Sequence, residues 1–243
     1  MPRDEGTPGT ERPRWHHRLH LSVITPGPQV IAGDEAHHAV RVKRLRPGEL
    51  VELFDGHGTI LPGSVAAIGG SRQHPEVTIE PAGEPRVIEP HTPRVEILSP
   101  PPKGDRLERM LDQLSQAGVA RWGALETEHG EHGLPKKLDR VRRVIVESAK
   151  QCGRAHLMEI GEHVTLDEAL AMPGVVVASQ HADRGTAPGD ARTLLVGPEG
   201  GWSAAELRLF DERAVPSVGL GPHVMRLETA AVVGAARLLE NEP

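Results

Sequence analysis

Aromatic residues make up only 2% of this 243-residue chain. A core must therefore be assembled from Val, Leu, Ile and Ala rather than from rings. There is a single cysteine, Cys152, which excludes an intrachain disulfide and fits a reducing compartment. No apolar run is long enough to cross a bilayer, and the first residues hold no signal-peptide core, so a soluble, cytoplasmic protein with no membrane partner is expected. Nor is there an excess of positive charge: 28 Lys and Arg against 34 Asp and Glu leave a net charge of -6. Any contact with nucleic acid must then come from a local basic patch.

What the chain does have is a 37% hydrophobic fraction, 27 glycines and 22 prolines, enough for one large or two modest domains rich in turns. Residues 1–14 are Pro-, Gly- and charge-rich and are expected to be disordered. From 15 to 89 short strands dominate: Leu19–Ile24, Leu50–Phe54, Thr59–Ala67 and Glu76–Glu80, with a hairpin signal at Asp55-Gly56-His57-Gly58 and a short helix from Gly33 to Val40. That pattern reads as a small β-barrel-like domain.

After Pro90-His91-Thr92-Pro93 strands and helices alternate through residue 243, so this half is expected to be α/β with a mostly parallel sheet. Its helices run over Asp105–Ala117, with Leu107, Met110, Leu111 and Leu114 at core spacing, Lys136–Cys152, Asp167–Met172, Ala204–Arg213 and Glu228–Glu240. The last carries Ala230, Ala231, Val232, Val233, Ala235, Ala236, Leu238 and Leu239 and almost no polar face. A helix apolar all round is buried, and a homodimer interface is a natural place to bury it.

Two glycine-containing turns stand about one helix apart near the C-terminus. Val196-Gly197-Pro198-Glu199-Gly200-Gly201 follows one apolar run, and Leu220-Gly221-Pro222-His223-Val224-Met225-Arg226-Leu227-Glu228 follows the next. Ligands of parallel sheets sit beyond the C-terminal ends of strands, where both turns fall. Ser203-Ala204-Ala205-Glu206 matches a capping box and places the first turn at a helix N-terminus. It is not a phosphate loop, because the Gly-Lys-Ser/Thr ending is missing and Glu199 would repel a phosphate. Arg41-Val42-Lys43-Arg44-Leu45-Arg46 is the only dense basic run and would serve as phosphate contacts in RNA. His37 and His38, and His16, His17 and His20, lack the Cys or carboxylate that would complete a metal-ligand set.

These motifs together resemble the RsmE-type methyltransferases of the SPOUT (α/β-knot) superfamily, which methylate uridine N3 in 16S ribosomal RNA. The likeness covers His37-His38 with Val42 to Gly48, Phe54-Asp55-Gly56, Lys103-Gly104-Asp105-Arg106, Thr127-Glu128, Ala149-Lys150-Gln151-Cys152-Gly153-Arg154 and both glycine turns. It implies a PUA-like N-terminal domain, a trefoil-knotted C-terminal domain and a homodimer through the last helix. It also implies S-adenosylmethionine held by Val196, Gly197, Gly200, Gly201, Leu220, Gly221, Val224, Met225 and Leu227. RNA contacts would come from Arg41, Lys43, Arg44, Arg46, Lys103 and Arg106. Arg226 would stabilise charge developing on the uracil ring, with Glu228 orienting it through a charge-assisted hydrogen bond. His129 and His223 stand where the family commonly has arginine, and Leu227 where it has threonine. Two other readings remain open: a SPOUT enzyme acting on another RNA site, and a noncatalytic RNA-binding protein that keeps the fold.

Overall fold

The computed structural model describes residues 17–131, 133, 138–180, 182 and 187–240. The N-terminal tail expected to be disordered and His16 lie outside them. The described residues divide into two compact units: those up to Asp55 with Thr59–Val87 form the first, and Gly56–Gly58 with those from Ile88 onward form the second.

The first unit contains β1 (His17–His20), β2 (Gln29–Ile31), α1 (Gly33–Arg41), β3 (Leu50–Phe54), β4 (Thr59–Gly70), β5 (Pro75–Pro81) and β6 (Arg86–Val87). Its sheet runs β1-β3-β4-β5-β2, with β6 on β4. The pairing is antiparallel except between β1 and β3. Inward positions of these strands, together with Ala36, Ala39 and Leu45, close a core around Val51, Leu53, Leu61, Val77 and Ile79. The first strand stops at His20, earlier than its apolar run suggests. Beyond it Gln29 donates to the carbonyls of Thr25 and Gly27 (2.6 Å each), which fixes the Thr25–Pro28 stretch as a bend. The short strands β2 and β6 had no signal in the sequence. Within the sheet Arg18 and Glu52 form a buried ion pair at 2.7 Å, the guanidinium lying 4.6 Å from the centre of the Phe54 ring.

The second unit contains β7 (Glu96–Ser99), α2 (Arg106–Ala117), β8 (Arg121–Leu125), α3 (Leu138–Cys152), β9 (Glu159–Val164) and α4 (Leu166–Leu170). It continues with β10 (Val175–Ala178), β11 (Thr193–Leu195), α5 (Ala204–Glu212), β12 (Ser217–Val218) and α6 (Leu227–Leu239). All six strands are parallel, in the order β12-β10-β11-β7-β8-β9. This is the α/β architecture read from the alternation of elements. Strands β7 to β9 step one way across the sheet, and β10 to β12 occupy the other side. The order therefore reverses between β7 and β11, and parallel sheets place their ligand crevices at such a point.

Helix α2 buries Leu107, Met110, Leu111 and Leu114, the stripe its spacing predicts, and ends at left-handed Gly118 (φ 101°), whose N–H returns to the carbonyl of Leu114. Helix α3 buries Val141, Ile145 and Ala149. Helix α6 is not covered all round: it buries Leu227, Ala231, Gly234, Ala235 and Leu238 within its own unit, leaving Val232, Val233 and Leu239 half-buried and Ala236 exposed. Gly234 lets it approach the sheet closely, since a Cβ there would run into the side chain of Leu194. Strand β9 was not recognised in the sequence. It is an edge strand whose polar Glu159, Glu162 and His163 break the apolar alternation.

Candidate functional site

Of the loops that leave the C-terminal edge of the parallel sheet, those after β7, β8, β11 and β12 carry the residues singled out in the sequence. The first glycine turn follows β11. Val196 is buried and its N–H donates to Leu98 at 2.9 Å, so the turn starts from a fixed point in the sheet. The N–H of Gly201 then donates to Pro198 at 2.9 Å, closing a tight turn. Gly201 has φ 77°, the left-handed region that disfavours other residues, and a Cβ added to it would meet nothing within 4 Å. Gly197 is constrained differently: a Cβ there would lie 2.8 Å from the Trp202 indole. Ser203 caps α5, its hydroxyl accepting from the Glu206 N–H (3.2 Å) while the Glu206 carboxylate accepts from the Ser203 N–H (2.7 Å). This is the capping box expected from the sequence.

The second turn follows β12. Among the described residues, the N–H groups of Gly221, Val224 and Met225 donate to no backbone carbonyl. Leu220 packs on the core and its carbonyl lies 3.4 Å from the Arg237 guanidinium. Val224 is 80% exposed. Leu227, the first residue of α6, is buried. The N-cap Arg226 has an extended backbone, makes no side-chain cap hydrogen bond and is exposed. Glu228 is half-buried, and its Oε2 is shielded from solvent without a hydrogen-bond partner. The expected hydrogen bond between Glu228 and Arg226 is absent. Residues two apart at a helix start do not face one another.

The structure brings Arg106 to the first turn, where it pairs with Glu199. Lys103 reaches Glu131 in the loop after β8 at 2.9 Å. Asp105 occupies the N-cap position of α2 but bonds Arg109 (2.5 Å) instead of the helix amides. His129 lies against the first turn, its Nδ1 3.2 Å from the carbonyl of Gly201. No local pattern signals that contact, which joins positions 72 apart. Arg41, Lys43, Arg44 and Arg46 lie in the first unit, at the end of α1 and just beyond it. Arg41 donates to the Arg72 carbonyl (2.8 Å), and Arg44 has φ 55°. Arg41, Arg44 and Arg46 are exposed and Lys43 is half-buried. Among the described residues no group of three or more His, Cys, Asp or Glu is arranged to hold a metal ion, and no helix is long and apolar enough to cross a membrane.

Chemically, the C-terminal edge offers backbone amides, tight glycine approaches and an exposed guanidinium. These features suit a polar small molecule and an adjoining anion better than a metal ion or a covalent nucleophile. Comparison with known proteins agrees with that chemistry. A family model described as an RNA methyltransferase domain matches residues 89–239, and one described as an RNA methyltransferase PUA domain matches residues 31–73. The chain is 30% identical over 222 residues to ribosomal RNA small subunit methyltransferase E of Mycobacterium bovis, covering 84% of this chain and 83% of that one. It is 24% identical to the protein of the same name from Bacillus subtilis, over 82% of this chain and 85% of that one. Among solved structures, a methyltransferase from Legionella pneumophila in complex with the cofactor SAM superposes with a TM-score of 0.78 at 25% identity, covering 92% of this chain and 96% of that one.

Proposed function

The chain belongs to the RNA methyltransferase family, and from that premise we propose that it is an S-adenosylmethionine-dependent methyltransferase of small-subunit ribosomal RNA. The observation that carries this reading is the pair of glycine turns on one edge of the parallel sheet, with backbone amides of the second turn that, among the described residues, donate to no backbone carbonyl. Such amides serve a ligand that itself supplies carboxylate, hydroxyl and ring-nitrogen acceptors. Val196, Gly197, Gly200 and Gly201 on one side, and Leu220, Gly221, Val224, Met225 and Leu227 on the other, would hold the cofactor. The open space beside Gly201 fits such a group.

When bound, the cofactor supplies a methyl group already activated as a sulfonium. The protein's task is to align the nucleophile and to favour loss of its proton. We assign the nucleophile as uridine N3, whose imide nitrogen becomes nucleophilic once deprotonated. Arg226 is suited to that end: its guanidinium is exposed and carries a charge at every working pH. A cation beside the imide lowers the cost of the negative charge. Glu228 acts from the first turn of α6 rather than through Arg226. Arg41, Lys43, Arg44 and Arg46 on the first unit, and Lys103 and Arg106 on the second, would take RNA phosphates. The half-exposed apolar side of α6 would form a homodimer interface.

Calorimetric titration with S-adenosylmethionine tests the cofactor, and mass spectrometry of ribosomal RNA from a strain lacking the gene tests the target. A missing methyl on a uridine base is expected. Cofactor binding with a different missing methyl would assign the protein to another RNA site, and no cofactor binding would leave a noncatalytic RNA-binding protein.

A further inference from the structure

Two helices of the second unit carry the same cap with different surroundings. In α4, Glu168 Oε2 accepts from both the N–H (2.9 Å) and the hydroxyl (2.7 Å) of Thr165, and both residues are exposed. In α5 the corresponding Glu206 is 7% exposed, and its two oxygens are divided. Oε2 accepts from the Ser203 N–H at 2.7 Å, while Oε1 accepts from the N–H of Glu128, 78 positions earlier, at 2.9 Å. A helix cap alone has no need of that second bond, as α4 demonstrates.

The neighbouring residue adds a second bond to the same segment. A carbonyl oxygen only accepts, so the contact between His129 Nδ1 and the Gly201 carbonyl (3.2 Å) requires the proton on Nδ1. Glu128 and His129 are thus fastened to the Gly201–Glu206 segment by two bonds, both donated from the loop after β8. Gly200 permits the approach: a Cβ there would lie 3.2 Å from that of His129. Gly130 seats the same loop on the one after β7, since a Cβ would lie 2.8 Å from the Pro100 ring and collide with the Thr127 hydroxyl.

We propose that Glu206 is a positioning residue for cofactor binding: its carboxylate locks the loop after β8 onto the first glycine turn, so that both form one preformed wall. The proposal rests on the cofactor reading given above. Its physical basis is preorganisation, because a wall already ordered in the free protein does not have to be ordered when the ligand binds.

Substitutions separate this role from capping. Both partners of the Glu206 carboxylate are N–H donors. In Glu206→Gln one of the two bonds is therefore lost, and an amide NH2 is turned toward another donor. Ser203→Ala instead weakens the cap from its other end and leaves both carboxylate bonds in place. Calorimetry with S-adenosylmethionine is expected to give a dissociation constant about tenfold weaker for Glu206→Gln, on the scale of one lost charge-assisted hydrogen bond. Ser203→Ala should bind within about twofold of wild type despite a lower Tm. His129→Ala, which removes the second of these bonds from an exposed side chain without touching the cap, should weaken binding severalfold and keeps the test open if Glu206→Gln does not fold. Equal weakening by Ser203→Ala and Glu206→Gln, or wild-type affinity in both Glu206→Gln and His129→Ala, would overturn the positioning role alone. A wild-type protein that binds no S-adenosylmethionine would overturn the cofactor reading and this proposal with it.

Discussion

Arg106, the first residue of α2, pairs with Glu199 in the first glycine turn. The pair spans β7 and β11, the two strands between which the sheet order reverses. Glu199 is 55% exposed, so the pair contributes no more than about 1 kcal/mol to stability. Its larger effect is on charge, because a carboxylate already occupies a guanidinium proposed to meet RNA phosphate. Glu199→Gln is expected to tighten binding of a small-subunit RNA fragment severalfold at low salt, and Arg106→Ala to weaken it. Each lost phosphate contact should flatten the log–log salt dependence by about 0.7 on a single strand. Fluorescence anisotropy across a salt series measures both. An Arg106→Ala slope equal to that of wild type would remove Arg106 from the RNA contacts.

Gly201→Ala should affect both stability and the site. With φ at 77° the added Cβ meets no neighbour, so the cost comes from the backbone conformation, about 1–2 kcal/mol. Relief of that strain would move the turn and with it the cofactor amides. A drop in Tm accompanied by at least a tenfold loss of S-adenosylmethionine affinity is expected. A destabilised variant that binds as wild type would separate the turn from the cofactor.

Glu96, at the start of β7, gives a stability prediction with a definite sign. Burial pushes its carboxyl above the ordinary value of 4.5; Arg121 opposes the shift and the Glu159 carboxylate adds to it. Its Oε1 lies 3.4 Å from Arg121 Nε yet makes no hydrogen bond. The folded state therefore holds this proton more tightly than the unfolded state. Its stabilising effect is complete below pH 4.5 and is lost as the pH rises through the higher, folded-state value. Glu96→Gln carries no charge to desolvate. Its Tm should exceed that of wild type at pH 7, with the difference closing below pH 4.5. A variant less stable at pH 7 would mean that attraction to Arg121 outweighs burial.

The sequence made some of this architecture legible and hid the rest for physical reasons. Leu107, Met110, Leu111 and Leu114 were readable as a core stripe because helix spacing is local information. The first glycine turn was readable because strand, glycine and capping box occur in immediate succession. Strand β9 was hidden by its polar edge positions, and β2 and β6 by their lengths of three and two residues. At the site, the contacts Arg106–Glu199, Glu128–Glu206 and His129–Gly201 join positions 93, 78 and 72 apart. The sheet order brings those loops together, and no local pattern encodes that order. The expected Arg226–Glu228 bond does not form for the opposite reason: side chains two positions apart at a helix start point to different sides.

Helix α6 carries the oligomerisation prediction. One stripe is buried within its own unit, which leaves Val233 half-buried and Ala236 exposed on an otherwise apolar surface. Light scattering at micromolar concentration is expected to give about twice the 26.2 kDa chain mass. Val233→Asp should return it to a single chain, because burying an unpaired carboxylate in an interface is costly. A wild-type protein at 26.2 kDa would refute the dimer.

Arg226 gives the sharpest test of the chemistry. It is the N-cap of α6, exposed, with no side-chain cap hydrogen bond and no bond to Glu228. A structural role would require a partner, and none is present among the described residues. Removing the side chain should therefore change folding stability no more than an ordinary surface substitution does, by about 0.5 kcal/mol or less. Its position at the end of the second glycine turn suits it to meet charge developing on a base presented to the cofactor. Arg226→Ala is expected to lower single-turnover methylation by roughly two to three orders of magnitude, the scale of losing one preorganised electrostatic donor. S-adenosylmethionine and RNA affinities should change little. Arg226→Lys, which keeps the charge but not the planar fork, should recover only part of the rate. Because a guanidinium stays protonated, the loss should be the same at pH 6.5 and pH 8.5. A rate equal to wild type in Arg226→Ala would remove Arg226 from the reaction, and a loss confined to RNA affinity would make it a phosphate contact instead.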